Sequence, residues 1–214
     1  MVVLLNFKHI IRTVLLLGTF LVLSPAQVYS KEKAVVLAFG DSLTAGYGVK
    51  DEESYPSRLQ EKISAAGFPH KVVNAGVSGD TTAGGVRRIR WLMKHEPEIV
   101  ILALGANDGL RGLSVTEMRK NLETMIAICR EHNARILLAG MKALPNYGED
   151  YMREFETVFP ELAKKHDLNY LPFLLEGVAG EREHTQPDGL HPLASGYKIV
   201  TELVWQQLEP MLSR

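Results

Sequence analysis

Five short apolar runs punctuate the chain, and most are apolar at every position rather than at every second one. They cover residues 34–39, 71–74, 99–104, 135–139 and 169–173. The first four end on or just before glycine, at Gly40, Gly76, Gly105 and Gly140. A run without alternation suits a strand covered on both faces, as in a parallel sheet. Pro172 in the fifth run removes a backbone donor, so this strand is expected at an edge.

Helical spacing fills the intervals. Residues 57–66 stop at Gly67, a helix-ending residue. A second helix is predicted from Thr82 to about His95, before Pro97. Ser114 and Glu117 form an S-x-x-E capping signal, and behind it Met118, Leu122, Met125 and Cys129 make one apolar stripe. A helix over about 150–166 contains Pro160, which is expected to kink or split it. The last helix, over about 193–211, carries Tyr197, Val200, Val204, Leu208 and Met211 on one face. Alternating strand and helix units of this size predict an α/β, three-layer α/β/α, flavodoxin-like fold. Its five-stranded parallel sheet is expected in the order 2-1-3-4-5. That order brings the carboxyl ends of the first three strands together, where ligands of such sheets bind.

The first thirty residues follow another logic. Lys8 and Arg12 are their only charges, and an apolar stretch over 13–23 follows. Val28 and Ser30 then stand at −3 and −1 of a cut before Lys31. A basic start, a short apolar middle and small residues near the cut describe an export signal. The apolar stretch falls short of the ~20 residues a spanning helix needs. The expected organisation is therefore a signal peptide at 1–30 and one domain at 31–214, with no stable membrane insertion once the signal is removed. The destination is the periplasm, with the extracellular medium as the alternative.

Composition narrows the classes. The 214 residues carry 24 Lys+Arg against 25 Asp+Glu, a net charge of −1. A nucleic-acid partner would ask for a positive excess, so none is expected. One cysteine, Cys129, excludes an internal disulfide framework, and its place in an apolar stripe makes it a core thiol. Arg87, Arg88, Arg90 and Lys94 are read as a solvated helix face. Asp41 and Asp80 are read as carboxylates that organise loops.

Four loops carry the chemistry. Gly40-Asp41-Ser42-Leu43 follows the first strand, and Ser78-Gly79-Asp80 follows the second. Gly105-Ala106-Asn107-Asp108 follows the third, and Asp188-Gly189-Leu190-His191 precedes the last helix. Each has a plain alternative: a cap at Ser42, a turn glycine at Gly79, an Asp-Gly turn at 108–109. The D-x-x-H pair could hold a metal, yet no third or fourth ligand completes a site, so no metal is expected. Together the loops make a working set. Ser42 needs a base to become a nucleophile. His191 can be that base if Asp188 fixes its ring. Negative charge developing on an acyl oxygen needs donors in place, and the Ser42 N–H, the Gly79 N–H and the Asn107 amide supply them.

These four blocks, in this order, resemble the GDSL, or SGNH, hydrolase superfamily across the whole of residues 31–214. The markers Ser, Gly, Asn and His fall on Ser42, Gly79, Asn107 and His191, and the family's aspartate on Asp188. The 104–113 and 144–148 stretches resemble the exported bacterial arylesterase, acyl-CoA thioesterase and lysophospholipase group. The resemblance implies a serine esterase or thioesterase working through an acyl-enzyme on Ser42, without a cofactor. Its partner is a small acyl ester or thioester: an aryl ester, an acyl-CoA or a lysophospholipid. It also implies a monomer, with a loop at 109–113 that moves over bound acyl chains. A carbohydrate O-acetyl esterase and a non-catalytic binding module on the same fold are the alternatives.

Overall fold

The computed structural model describes residues 34–214. The expected signal peptide and its cut before Lys31 lie outside the described residues. Five strands form one parallel sheet in the order β2-β1-β3-β4-β5. They are β1 (Ala34–Gly40), β2 (His70–Gly76), β3 (Pro97–Ala103), β4 (Arg135–Ala139) and β5 (Asn169–Leu171). This is the topology that the apolar runs predict. The central strands are buried over almost their whole length: Val36 to Phe39, Ile99 to Ala103 and Ile136 to Ala139 have essentially no exposed surface. Burial on both faces is why their apolar runs do not alternate. The edge strand β2 does mix exposed and buried positions. β5 is the other edge strand and stops one residue before Pro172. That proline lacks the donor a further ladder bond would use.

The described residues also form seven α-helices: α1 (Ser42–Ala45), α2 (Tyr55–Ala65), α3 (Thr82–Leu92), α4 (Ala106–Leu110), α5 (Val115–Glu131), α6 (Glu149–Lys165) and, after the last strand, α7 (Ala194–Leu208). α2 packs on α7 on one side of the sheet, while α3, α5 and α6 pack in sequence on the other. The Ser114 side chain caps α5, and Met118, Leu122, Met125 and Cys129 are all buried beneath it. Burial pushes the Cys129 thiol up to about 12, as expected of a core thiol.

Two expectations need correction. Pro160 does not split α6, which runs through it from Glu149 to Lys165. Pro160 stands on the exposed side of the helix, so the backbone bond it cannot make is lost where the helix meets solvent and not in the core. The second concerns the basic run on α3. Arg87, Arg90 and Lys94 are exposed, but Arg88 is not part of a solvated face. Its Nε is 2.7 Å from Asp80 Oδ2, and its two terminal nitrogens donate to Ala75 O and Gly40 O, each at 2.7 Å. The guanidinium also lies 4.3 Å from the centre of the Phe39 ring. One side chain thus ties the ends of β1 and β2 to the loop that holds Gly79. A planar fork of five donors suits that task.

Candidate active site

β1 ends at Gly40, and the chain turns at once into α1. Asp41 caps this short helix: its Oδ1 accepts the Leu43 N–H at 3.0 Å. Ser42 is thereby the first residue of α1, not its cap, and it is almost wholly buried. Its Oγ lies 2.9 Å from His191 Nε2. On the far side of the ring, His191 Nδ1 lies 2.7 Å from Asp188 Oδ2. Asp188 spends its other oxygen on the backbone, accepting the Leu190 and His191 N–H groups at 2.9 and 3.0 Å. Three residues of spacing are enough for the carboxylate to hold both the backbone and the ring of the same histidine. Partial burial pushes the Asp188 carboxyl up. The hydrogen bonds from the His191 ring and from the two backbone N–H groups outweigh it and hold the group down at about 2.

Asn107 sits in α4, directly after β3, and lines the same cavity as Ser42 and His191. Its Nδ2 donates to Asp41 Oδ2 at 3.3 Å. Residues 106–110 form a helix, not the tight turn that Asp-Gly suggests. Asp108 anchors it, accepting the Thr82 N–H at 2.9 Å and the Thr82 hydroxyl at 2.6 Å. This carboxylate joins the β3 loop to the start of α3 beside the Gly79 loop. Burial raises its pKa, partly offset by the bonds from Thr82. Gly79 itself has φ +78, a conformation that favours glycine. Its carbonyl accepts from Arg111 Nη2 at 2.9 Å. Ser42, Asn107, Asp188 and His191 come together in one connected set. Gly79 joins it through Arg111 and does not line the cavity.

A cavity of about 540 Å³ opens beside this set. Ser42, Asn107 and His191 stand at one part of its wall. Leu110, Met141, Leu144, Phe173 and Leu175 supply an apolar part. These last residues come mainly from the loops after β4 and β5, outside the four blocks that carry the candidate chemistry. The 109–113 segment is tethered by Tyr151, whose hydroxyl donates to Leu113 O at 2.9 Å and to Asp108 O at 3.3 Å. Among the described residues, no cluster of three or more His, Cys, Asp or Glu side chains is placed to hold a metal ion. Nor is any described helix long and apolar enough to cross a membrane.

A hydroxyl on an imidazole, with the imidazole on a carboxylate and an amide beside an apolar cavity, is equipped for acyl transfer. The match of residues 38–199 to the GDSL-like lipase/acylhydrolase family model agrees with that chemistry. The chain belongs to this family. It is 38% identical over 178 residues to the Esterase TesA of Pseudomonas aeruginosa, covering 83% of this chain and 89% of that one. It is 34% identical over 209 residues to the Thioesterase 1/protease 1/lysophospholipase L1 of Escherichia coli K12, covering 97% and 98%. Among solved structures it resembles AlinE4, an SGNH-hydrolase family esterase, with TM-score 0.70 and 42% identity over 86% of this chain and 98% of that one.

Asp41 organises its loop as expected, and through Asn107 it also reaches the loop after β3. Asp108, Arg88 and Arg111 brace the site without being expected to; Asp108 lies within the Gly105–Asp108 block, and that was its one available signal. Arg88 and Arg111 had none, since the carbonyls they meet, Gly40 O and Ala75 O at the ends of β1 and β2 and Gly79 O, are brought to them only by the fold.

Proposed function

We propose that the protein is a serine esterase and thioesterase in which Ser42, His191 and Asp188 form the catalytic triad. The observation that carries this reading is the unbroken contact chain from Ser42 Oγ to His191 Nε2 and from His191 Nδ1 to Asp188. Asp188, ionised at any working pH, accepts from Nδ1–H and leaves Nε2 free to take the Ser42 proton. The hydroxyl oxygen then adds to the acyl carbonyl. The Asn107 amide and the Ser42 N–H, with Gly79 N–H, hold the resulting oxyanion. His191 returns the proton to the leaving oxygen or sulfur, and the acyl group remains on Ser42. Water repeats the sequence and releases the acid. No metal or cofactor takes part.

The apolar wall favours an acyl chain of some length over an acetyl group. A sugar O-acetyl esterase would gain nothing from Leu110, Met141, Leu144 and Phe173 around such a volume. Aryl esters, acyl thioesters and lysophospholipids all offer a chain of this kind. Export, by a leader at residues 1–30 that is removed before Lys31, belongs to the same proposal, with the periplasm as destination. N-terminal sequencing of the mature protein tests that part.

Ser42→Ala tests the chemistry. It is expected to lower turnover of butyryl and longer esters by about 10⁴-fold or more, with the thermal unfolding profile intact. Hydrolysis by the variant at the unsubstituted rate overturns the proposal.

A further inference from the structure

We propose that Tyr47 is the platform on which the leaving group stacks, so that the site favours esters whose leaving group is flat and aromatic. The inference rests on the ester-hydrolysis reading above.

During the reaction the acyl carbon carries Ser42 Oγ, the oxyanion, the acyl chain and the leaving oxygen. The oxyanion is turned to the Asn107 side and the chain to the apolar cavity. The leaving oxygen must come within hydrogen-bond reach of His191 Nε2, because His191 gives it the proton taken from Ser42. The C–O bond to the leaving group breaks as that proton arrives, and water later supplies both the hydroxyl of the acid and the proton that restores Ser42. Whatever lies beyond the leaving oxygen therefore runs out alongside the imidazole. The aromatic ring found there is Tyr47. Its centroid is 4.6 Å from that of His191, at an angle of 45°. It does not line the acyl cavity, and it is 51% exposed.

An exposed aromatic side chain on a loop is ordinarily free to wander, yet the backbone of this one is fixed. Gly46 and Gly48 flank it at φ +81 and +77, where other residues are strained. Gln186 Nε2 donates to Tyr47 O at 2.8 Å and to Pro192 O at 3.1 Å, and the Gln186 N–H donates to His191 O at 2.7 Å. One glutamine thus locks the Tyr47 loop to the His191 loop. The result is a half-exposed aromatic ring held at a tilt against the imidazole that protonates the leaving group. Stacking on an aromatic ring is offset or tilted and depends on a flat partner.

The test compares kcat/KM for phenyl butyrate and ethyl butyrate, which share the acyl group and differ only in what leaves. Tyr47→Ala is expected to lose roughly three- to tenfold on the phenyl ester and less than about twofold on the ethyl ester, the scale of one aromatic pair. Tyr47→Phe is expected to keep the original preference. Tyr47→Leu, which refills the space without a π-face, is expected to lose it as alanine does. Equal losses on both esters, an unchanged ratio in Tyr47→Ala, or a preference retained by Tyr47→Leu would each overturn the platform. Failure of the underlying reading looks different: Ser42→Ala would then cleave both esters at the original rate.

Discussion

Asp41 and Asp188 stand on opposite sides of the Ser42–His191 contact, and the two regions around them treat a carboxylate in opposite ways. Asp41 lies between the loops after β1 and β3 with no exposed surface, and burial raises it from the usual 3.8 to about 6. The donors it meets, Leu43 N–H and Asn107 Nδ2, only partly offset that burial. Asp188 lies on the loop before α7 with 39% of its side chain exposed, and three hydrogen bonds hold it down at about 2. The nucleophile side is therefore a buried polar knot, in which Asp41, Asn107, Asp108 and Thr82 fix one another across three loops. The histidine side is local and open, held by bonds within four residues and by Gln186. A buried knot keeps donors still for a charge that appears only in the transition state. An open histidine loop leaves the proton-transfer side accessible to leaving group and water.

The comparison is broken most sharply at Asp188. Asp188→Asn keeps an oxygen for the Leu190 and His191 N–H groups but presents an N–H to the ring. His191 must then carry its proton on Nε2, facing Ser42, where it cannot act as a base. Turnover is expected to fall about 10³–10⁴-fold with little loss of stability, measured as kcat beside a denaturant melt. On the other side, Asn107→Ala removes from the knot the amide proposed to hold the oxyanion. The expected loss is about 10²–10³-fold in kcat, with a small change in KM. If Asn107→Ala instead raised KM alone, the amide would be holding bound substrate and not the transition state.

The strands were legible because a buried parallel strand is apolar at every residue, and β1, β3 and β4 are buried on both faces. Ser42, Asn107, Asp188 and His191 were legible because each lies in a short motif at the end of an element. The knot was not legible. Asp41 reads as a loop residue until burial and Asn107 give it a second task. Arg88 reads as one of a solvated run until the fold brings Gly40 O, Ala75 O and Asp80 around its guanidinium. The acyl wall was hidden for a different reason: Met141, Leu144, Phe173 and Leu175 are ordinary apolar residues on loops after β4 and β5. Only the sheet order brings those loops to Ser42. Tyr47 likewise gains meaning only from its distance to His191.

The smallest effect sharpens the comparison most directly, since it reads the Asp41 environment itself. A carboxyl whose folded pKa lies above its unfolded one binds more protons in the folded state between the two values. Folding stability therefore falls as pH rises through that window, here from 3.8 to about 6. The full fall attributable to Asp41 is at most about 3 kcal/mol. Asp108, also raised by burial, adds a fall of the same sign. Asp188 has the opposite sign, and its contribution disappears only as pH drops through 3.8 toward about 2. Asp41→Asn keeps the cap on Leu43 through its oxygen and has no proton to lose. Denaturant melts of the two proteins at pH 4, 5 and 6 subtract the shared contributions of Asp108 and Asp188. The stability of the Asp41 protein relative to Asp41→Asn is expected to fall steadily across that range. A difference that stays constant with pH would mean that Asp41 is already ionised at pH 4, and that the nucleophile side is as well solvated as the histidine side.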